Sequence, residues 1–266
     1  MNLIDLRHWH NEPYLIGGLV ILAWGYALLT GPLRQRLAPT GTTSSAWRAW
    51  CYYGSLVLFY LAVGSPFDQL GERFLFSAHM AQHVVLIYPC AMLWLVGLPP
   101  WLVDAMAQQP IIRPIGWFFT RPVVAGMIYV MVQSVWHLPA LYDLALQDRF
   151  VHVAEHVTFF ASAILFWWPI LADSRHWPTV TYGSQMIYLF AVAVGLTPLF
   201  VAVTFSSTVL YPTYEFAPRI IENFSPMDDQ LLAGAIMKLS NVLMTFLAFC
   251  FVFRRWYRQS ERRNPA

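Results

Sequence analysis

The stretch FLFSAHMAQHVVLIYPCAMLWLVG, Phe74–Gly97, carries no aspartate, glutamate, lysine or arginine. A helix needs about 20 mostly apolar residues to cross the hydrocarbon layer of a bilayer, and this stretch is long enough. It shows no alternation of period two, which argues against a barrel strand. Working outward, six further stretches read the same way: 13–31, 48–65, 121–138, 151–171, 184–206 and 231–253. The whole chain agrees with them. Of its 266 residues, 58% are hydrophobic and 11% charged, where soluble domains average about 45–50% and about 25%. A soluble protein so poor in charge could not cover its surface. The expectation is an all-α polytopic membrane protein: seven transmembrane helices in one domain, 1–266, with the amino terminus outside and the carboxy terminus cytoplasmic.

The connecting segments sharpen that reading. Gly31–Ala46 is a turn-rich linker of Pro, Gly, Ser and Thr. Trp101–Phe119 is interrupted by Pro110 and Pro114 and is expected to lie along an interface rather than cross it. The segment before Pro13 holds Asp5, Arg7, His8, His10 and Glu12, a poor start for a cleaved signal, so the first span reads as retained. Orientation follows from arginine. With seven spans, one set of loops and the tail carry eleven arginines and the opposite set only four (Arg7, Arg73, Arg149 and Arg219), which places the tail in the cytoplasm. The net charge of +2 implies no nucleic-acid partner. Cys51, Cys90 and Cys250 lie far apart and form neither a disulfide framework nor a zinc knuckle.

Orientation makes the histidines informative, because seven of the eight fall on the outer side and only His176 on the other. His79 and His83 are four apart and share one helical face. His137 closes the fourth span, just before Leu138–Pro139 breaks the helix. His152, Glu155 and His156 open the fifth span at i, i+3 and i+4, again on one face. Ionisable groups in a span are costly and turn toward a site or a water-filled cavity. Imidazoles at i, i+4 can chelate one transition metal, and copper, zinc, iron and nickel all suit imidazole. The candidate metal ligands are therefore His79, His83, His137, His152 and His156, with Glu155 expected to orient a neighbouring ring. Met80 and Met227 lie at a similar depth and thioethers favour Cu(I), but both read first as lipid-facing or packing residues. A haem held between imidazoles remains an alternative, as does a copper transporter whose site continues across the bilayer. Lys238, about two turns into the seventh span, raises a retinal Schiff base, but no span supplies a suitable counter-ion; Asp228 and Asp229 are its nearer ion-pair candidates. No nucleophile–base pair or phosphate loop is present, so no enzyme is expected.

Several motifs carry a resemblance: SPFDQLGERFLFSAHMAQHVVL (65–86), GLPPWLVDAM (97–106), TRPVV (120–124), WHLPALYD (136–143), VHVAEHVTFFASAILFWWPIL (151–171) and DDQLLAGAIMK (228–238). In these the chain resembles the Bacillus-type CtaG family of cytochrome c oxidase assembly membrane proteins. The resemblance implies a non-enzymatic factor of the bacterial cell membrane that binds copper and delivers it during haem–copper oxidase maturation. Its partners would be oxidase subunits and a periplasmic copper donor. Carried onto this chain, the matching positions are His79, His83, His137, His152, Glu155 and His156. Asp68, Asp228 and Gln230 match further recurrent polar positions, and Asp68 and Asp228 join Glu155 as supporting groups or possible ligands.

Overall fold

A computed structural model describes residues 7, 9–38, 45–172, 174–177 and 180–263; His8 lies outside them. The described residues form helices and no strand. The chain begins with α1 (Pro13–Thr30), α2 (Arg34–Leu37), α3 (Ala46–Gly64) and α4 (Pro66–Arg73). Next, α5 (Phe76–Val85) runs through a π-helical turn, Leu86–Cys90, into α6 (Ala91–Gly97). Five helices follow: α7 (Pro100–Ala107), α8 (Ile112–Phe119), α9 (Pro122–Trp136), α10 (Pro139–Gln147) and α11 (Arg149–Leu171). The last are α12 (Tyr182–Gly195), α13 (Thr197–Thr204), α14 (Pro212–Glu215) and α15 (Pro226–Arg263).

Among the described residues, five helical stretches are long and apolar enough to cross a membrane: Pro13–Thr30, Phe76–Gly97, Arg149–Leu171, Tyr182–Thr204 and Pro226–Arg262. A sixth arises if Ile112–Phe119 and Pro122–Trp136, bent by 71°, count as one span. The sequence reading had seven. The expected second span is α3, a 19-residue helix whose Arg48, Tyr52, Tyr53 and Tyr60 dilute its apolar character. The expected fourth is α9, only 15 residues long because Pro122 starts it and Leu138–Pro139 ends it. The segment 101–119 folds into the short helices α7 and α8, broken between them at 108–111, with α8 meeting α9 at the 71° bend.

Apolar side chains such as Ile21, Val123, Ile187, Phe190 and Phe246 point away from the protein, a surface suited to lipid. Inside, α11 packs on α9 and α6, α3 on α6, and α15 on α5, α12 and α13. Their shared core holds Tyr129, Phe159, Phe166 and Trp167. The first helix is held chiefly by tyrosines: Tyr26 stacks on Tyr52 at 4.0 Å and donates to the Gly97 carbonyl at 3.0 Å. The π-helical turn falls at Pro89, whose ring and missing N–H disturb the regular ladder. Within it, the Ile87 carbonyl accepts from Trp167 Nε1 and the Cys90 carbonyl from Ser55 Oγ, both at 3.0 Å. The short helices α4, α10 and α14 gather at one end of the bundle, called the upper end below.

Candidate metal centre

Caps set the helices that carry the site. Asp148 accepts from the Phe150 and Val151 N–H groups at 2.8 and 3.1 Å, starting α11 where His152, Glu155 and His156 share its inward face. Helix α5 has no side-chain cap of its own. Asp229 of α15 supplies it, accepting from Phe76 N at 2.7 Å and Ser77 N at 3.0 Å, with its carboxylate fully buried. Gly71 lets α4 press against α5, since a Cβ there would lie 3.0 Å from the His79 Cα.

These elements bring all five expected histidines together, each no more than 5% exposed. The His79 and His83 Nε2 atoms face each other at 2.9 Å. Ring centroids lie 5.3 Å apart for His83 and His156, 5.8 Å for His79 and His156, and 4.2 Å for His152 and His156. Glu155, fully buried, sits among them, its oxygens 3.9 Å from His79 Nε2 and 3.7 Å from His83 Nε2. One ligand atom from each of His79, His83, Glu155 and His156 fits within 4.8 Å of the others.

The hydrogen bonds assign one tautomer. Tyr214 donates its hydroxyl proton to the Gly71 carbonyl at 2.7 Å, so His79 Nδ1, 3.2 Å from the same oxygen, must donate to it. That leaves a lone pair on His79 Nε2, aimed into the cluster. His83 is stacked on Phe159 at 4.3 Å, and its Nδ1 has no hydrogen-bond partner among the described residues. The same holds for His152 Nε2, His156 Nε2 and both oxygens of Glu155. Buried polar atoms are nearly always paired, so this concentration of unpaired nitrogens and oxygens is a group that could hold a metal ion.

Two expected ligands stand slightly apart. His137 lies 6.4 Å from His83, with Nδ1 2.7 Å from the Gln133 carbonyl and Nε2 3.3 Å from the Met80 sulfur. His152 turns Nδ1 to Glu72 Oε1 at 2.6 Å and so links the cluster to acids of α4. Asp68 belongs to that second group. Gln82 donates to it and to the Ala62 carbonyl, and His10 Nε2 is 3.6 Å away. Burial and the nearby Glu72 push the Asp68 carboxyl up to about 7, against the pull of His152, Gln82 and Arg149. For Glu72 burial works upward too, but the His152 hydrogen bond and the charges of His152, His10 and Arg149 outweigh it and hold the carboxyl below its usual range.

Asp228 is corrected. It is exposed and forms a reciprocal cap with Ser225: Ser225 N donates to its carboxylate, and Asp228 N donates back to Ser225 Oγ, both at 3.1 Å. One residue on, 100° around the helix, Asp229 points inward instead. Neither acid reaches Lys238, whose Nζ donates to Thr197 Oγ1 at 3.2 Å and lies 5.7 Å from the Phe200 ring centroid. Gln230 is buried and accepts from Leu210 N at 2.7 Å, tying down the approach to α14. Sequence reasoning missed Tyr214, Asp229, Glu72 and the site role of His10, none of which lies at a telling spacing from the histidines.

Fold and site together define a helical membrane protein with a buried imidazole–carboxylate centre at one end of its bundle. Residues 24–259 match the family of the cytochrome c oxidase caa3 assembly factor, and the chain belongs to that family. The match spans every residue of the cluster but not His10 or Glu12. No curated protein and no solved structure matches the chain.

Proposed function

We propose that this chain is a non-enzymatic membrane factor that binds copper as cargo at His79, His83, Glu155 and His156 and passes it to a haem–copper oxidase during assembly. The observation that carries the reading is Glu155: a fully buried carboxylate with neither oxygen hydrogen-bonded among the described residues, facing two imidazole nitrogens. Burying a carboxyl without partners is costly whether it keeps its charge or takes up a proton, and a bound cation removes that cost. Imidazole and carboxylate alone fit several divalent metals. Met80 narrows the choice, because its buried sulfur beside His137 Nε2 adds a soft donor suited to Cu(I). Membership of an oxidase-assembly family supports the client, with oxidase subunits and an extracytoplasmic copper donor as partners.

In this reading the chain crosses the bacterial cell membrane seven times, with α3 and α9 completing the five longer spans. The arginine asymmetry then turns the upper end away from the cytoplasm. Beneath the cluster the bundle is filled by Phe159, Phe166, Trp167 and Tyr129, which favours loading and release from the upper end over passage across the membrane. Rings packed 4.2–5.8 Å apart favour a bare ion over a haem macrocycle. The test is metal analysis of protein purified anaerobically with copper supplied. Replacing His79 and His83 by Ala should lower copper content while the helical spectrum stays unchanged. Full occupancy in that double variant refutes the reading, and a Soret band in the unaltered protein would favour haem.

A further inference from the structure

Next to the cluster lies a second set of ligand-type atoms that the proposed function leaves unused. One atom each from His10, Asp68 and Glu72 lies within 4.8 Å of the others, and the same holds for Asp68, His152 and His156. The inner set of His79, His83, Glu155 and His156 obeys the same limit. Neighbouring sets share a member, first Asp68 and then His156. A cavity of about 210 Å³ between α1, α3 and α11 reaches this chain of groups, lined by Glu12, Asp68, Glu72, Arg149, His152 and His156. At its mouth Arg149 donates to Tyr14 Oη at 2.6 Å, to His10 Nδ1 at 2.9 Å and to Glu12. Three carboxylates there face one guanidinium. His152 and His156 are each only 5% exposed, and their Nε2 atoms have no hydrogen-bond partner among the described residues.

We propose that His10, Asp68 and Glu72 form a second, outer metal site, where the ion is captured before ligand exchange through Asp68, His152 and His156 carries it to the inner imidazoles. This rests on the proposed function, since it needs a metal destined for the inner site. Each exchange forms one metal–ligand bond and breaks another, and no electron moves. Because neighbouring sets share a ligand, the ion need never be released bare into a low-dielectric interior, where its desolvation would be prohibitive. Donor types favour inward travel: two carboxylates with one imidazole outside, three imidazoles and one carboxylate inside, the richer nitrogen set binding copper more tightly.

The test uses metal-free, full-length protein in micelles, with Cu(II) alone as the probe. Tryptophan quenching follows the rate of loading, and electron paramagnetic resonance follows the ligands. The unaltered protein should bind two ions, the second with fewer nitrogen ligands and a signal broadened by the nearby first. The variant Asp68→Asn/Glu72→Gln should lose the second ion, keep the first, and load more slowly by about tenfold or more. His79→Ala/His83→Ala should do the converse, losing the tight ion and keeping the weak one. If Asp68→Asn/Glu72→Gln does not keep the helical spectrum, the second signal in the unaltered protein decides. A single tightly held ion with no second signal, or wild-type loading by a folded Asp68→Asn/Glu72→Gln, overturns this inference alone. No copper bound by the unaltered protein overturns it together with the proposed function.

Discussion

Asp229 offers a demanding check on how the site is held, because its effect can be worked out from two bonds. Its carboxylate accepts from Phe76 N and Ser77 N at 2.7 and 3.0 Å, capping a helix whose sequence lies some 150 residues away. Replacing it by Ala leaves both donors buried without partners, and each costs about 1–3 kcal/mol, so the pair should cost about 2–6 kcal/mol. The carboxylate charge at the positive end of α5 argues for the upper half of that range. Asp228, the preceding residue, provides an internal control. It also caps a helix, but its own, and in the open, so Asp228→Ala should cost about 1 kcal/mol. Stabilities would be compared by unfolding metal-free protein with SDS in mixed micelles, followed by far-ultraviolet circular dichroism. Asp229→Ala should also loosen the first turn of α5, where His79 N donates to the Leu75 carbonyl at 3.2 Å, and so reduce copper retention. If Asp229→Ala proves no more harmful than Asp228→Ala, the reasoning that α15 organises the metal-bearing helix is refuted.

Three further outcomes are expected. Glu155→Gln should leave the metal-free protein at least as stable, because the amide can donate to the facing imidazoles, but should shrink the stabilisation conferred by copper by about 1.4 kcal/mol per tenfold loss of affinity. Melts with and without copper check this, and a less stable apo form with undiminished copper stabilisation would contradict it. Gly71→Ala would set a methyl group 3.0 Å from the His79 Cα and 3.1 Å from its N, backbone atoms with little room to yield. It should cost about 1–3 kcal/mol and lower copper content, whereas unaltered melting would show that α4 can shift freely. In metal-free protein Asp68 keeps its proton up to about 7, whereas the unfolded chain loses it near 3.8. The folded state therefore binds more protons between those values, and Asp68's contribution to stability falls as pH rises through that window, then levels off. Unfolding measured from pH 4 to 8 should show this slope flattened in Asp68→Asn; identical slopes would show that Asp68 is ionised throughout.

The parts of the site legible in the sequence are those that a helix makes local. His79 with His83, and His152 with Glu155 and His156, share faces by spacing alone, and Leu138–Pro139 announces the break that leaves His137 at a helix end. The groups that position them are not local. Tyr214 fixes the tautomer of His79 from α14, 135 residues later, and no periodicity links the two. Asp228 and Asp229 illustrate the boundary. Ser225 three residues before Asp228 is the spacing of a reciprocal cap, so that role was readable, and it would have freed Asp229 for a partner elsewhere. Which partner could not be read, since it depends on α15 packing against α5. The span count divides at a related point: α3 and α9, read as spans from the sequence, fall short of the length or apolar character of the five longer helices, since α3 carries polar side chains and α9 is cut short by prolines at both ends. Sequence thus reveals which helices carry donors, while the arrangement that brings those donors within reach of one ion exists only once distant caps have locked the rings. The chemistry of Glu155 depends on that arrangement: on an isolated α11 it would be a solvated or lipid-excluded side chain like any other. Only against His79 and His83, held there through Gly71, Tyr214 and Asp229, does it become a buried carboxyl with two imidazole nitrogens in reach of the same ion.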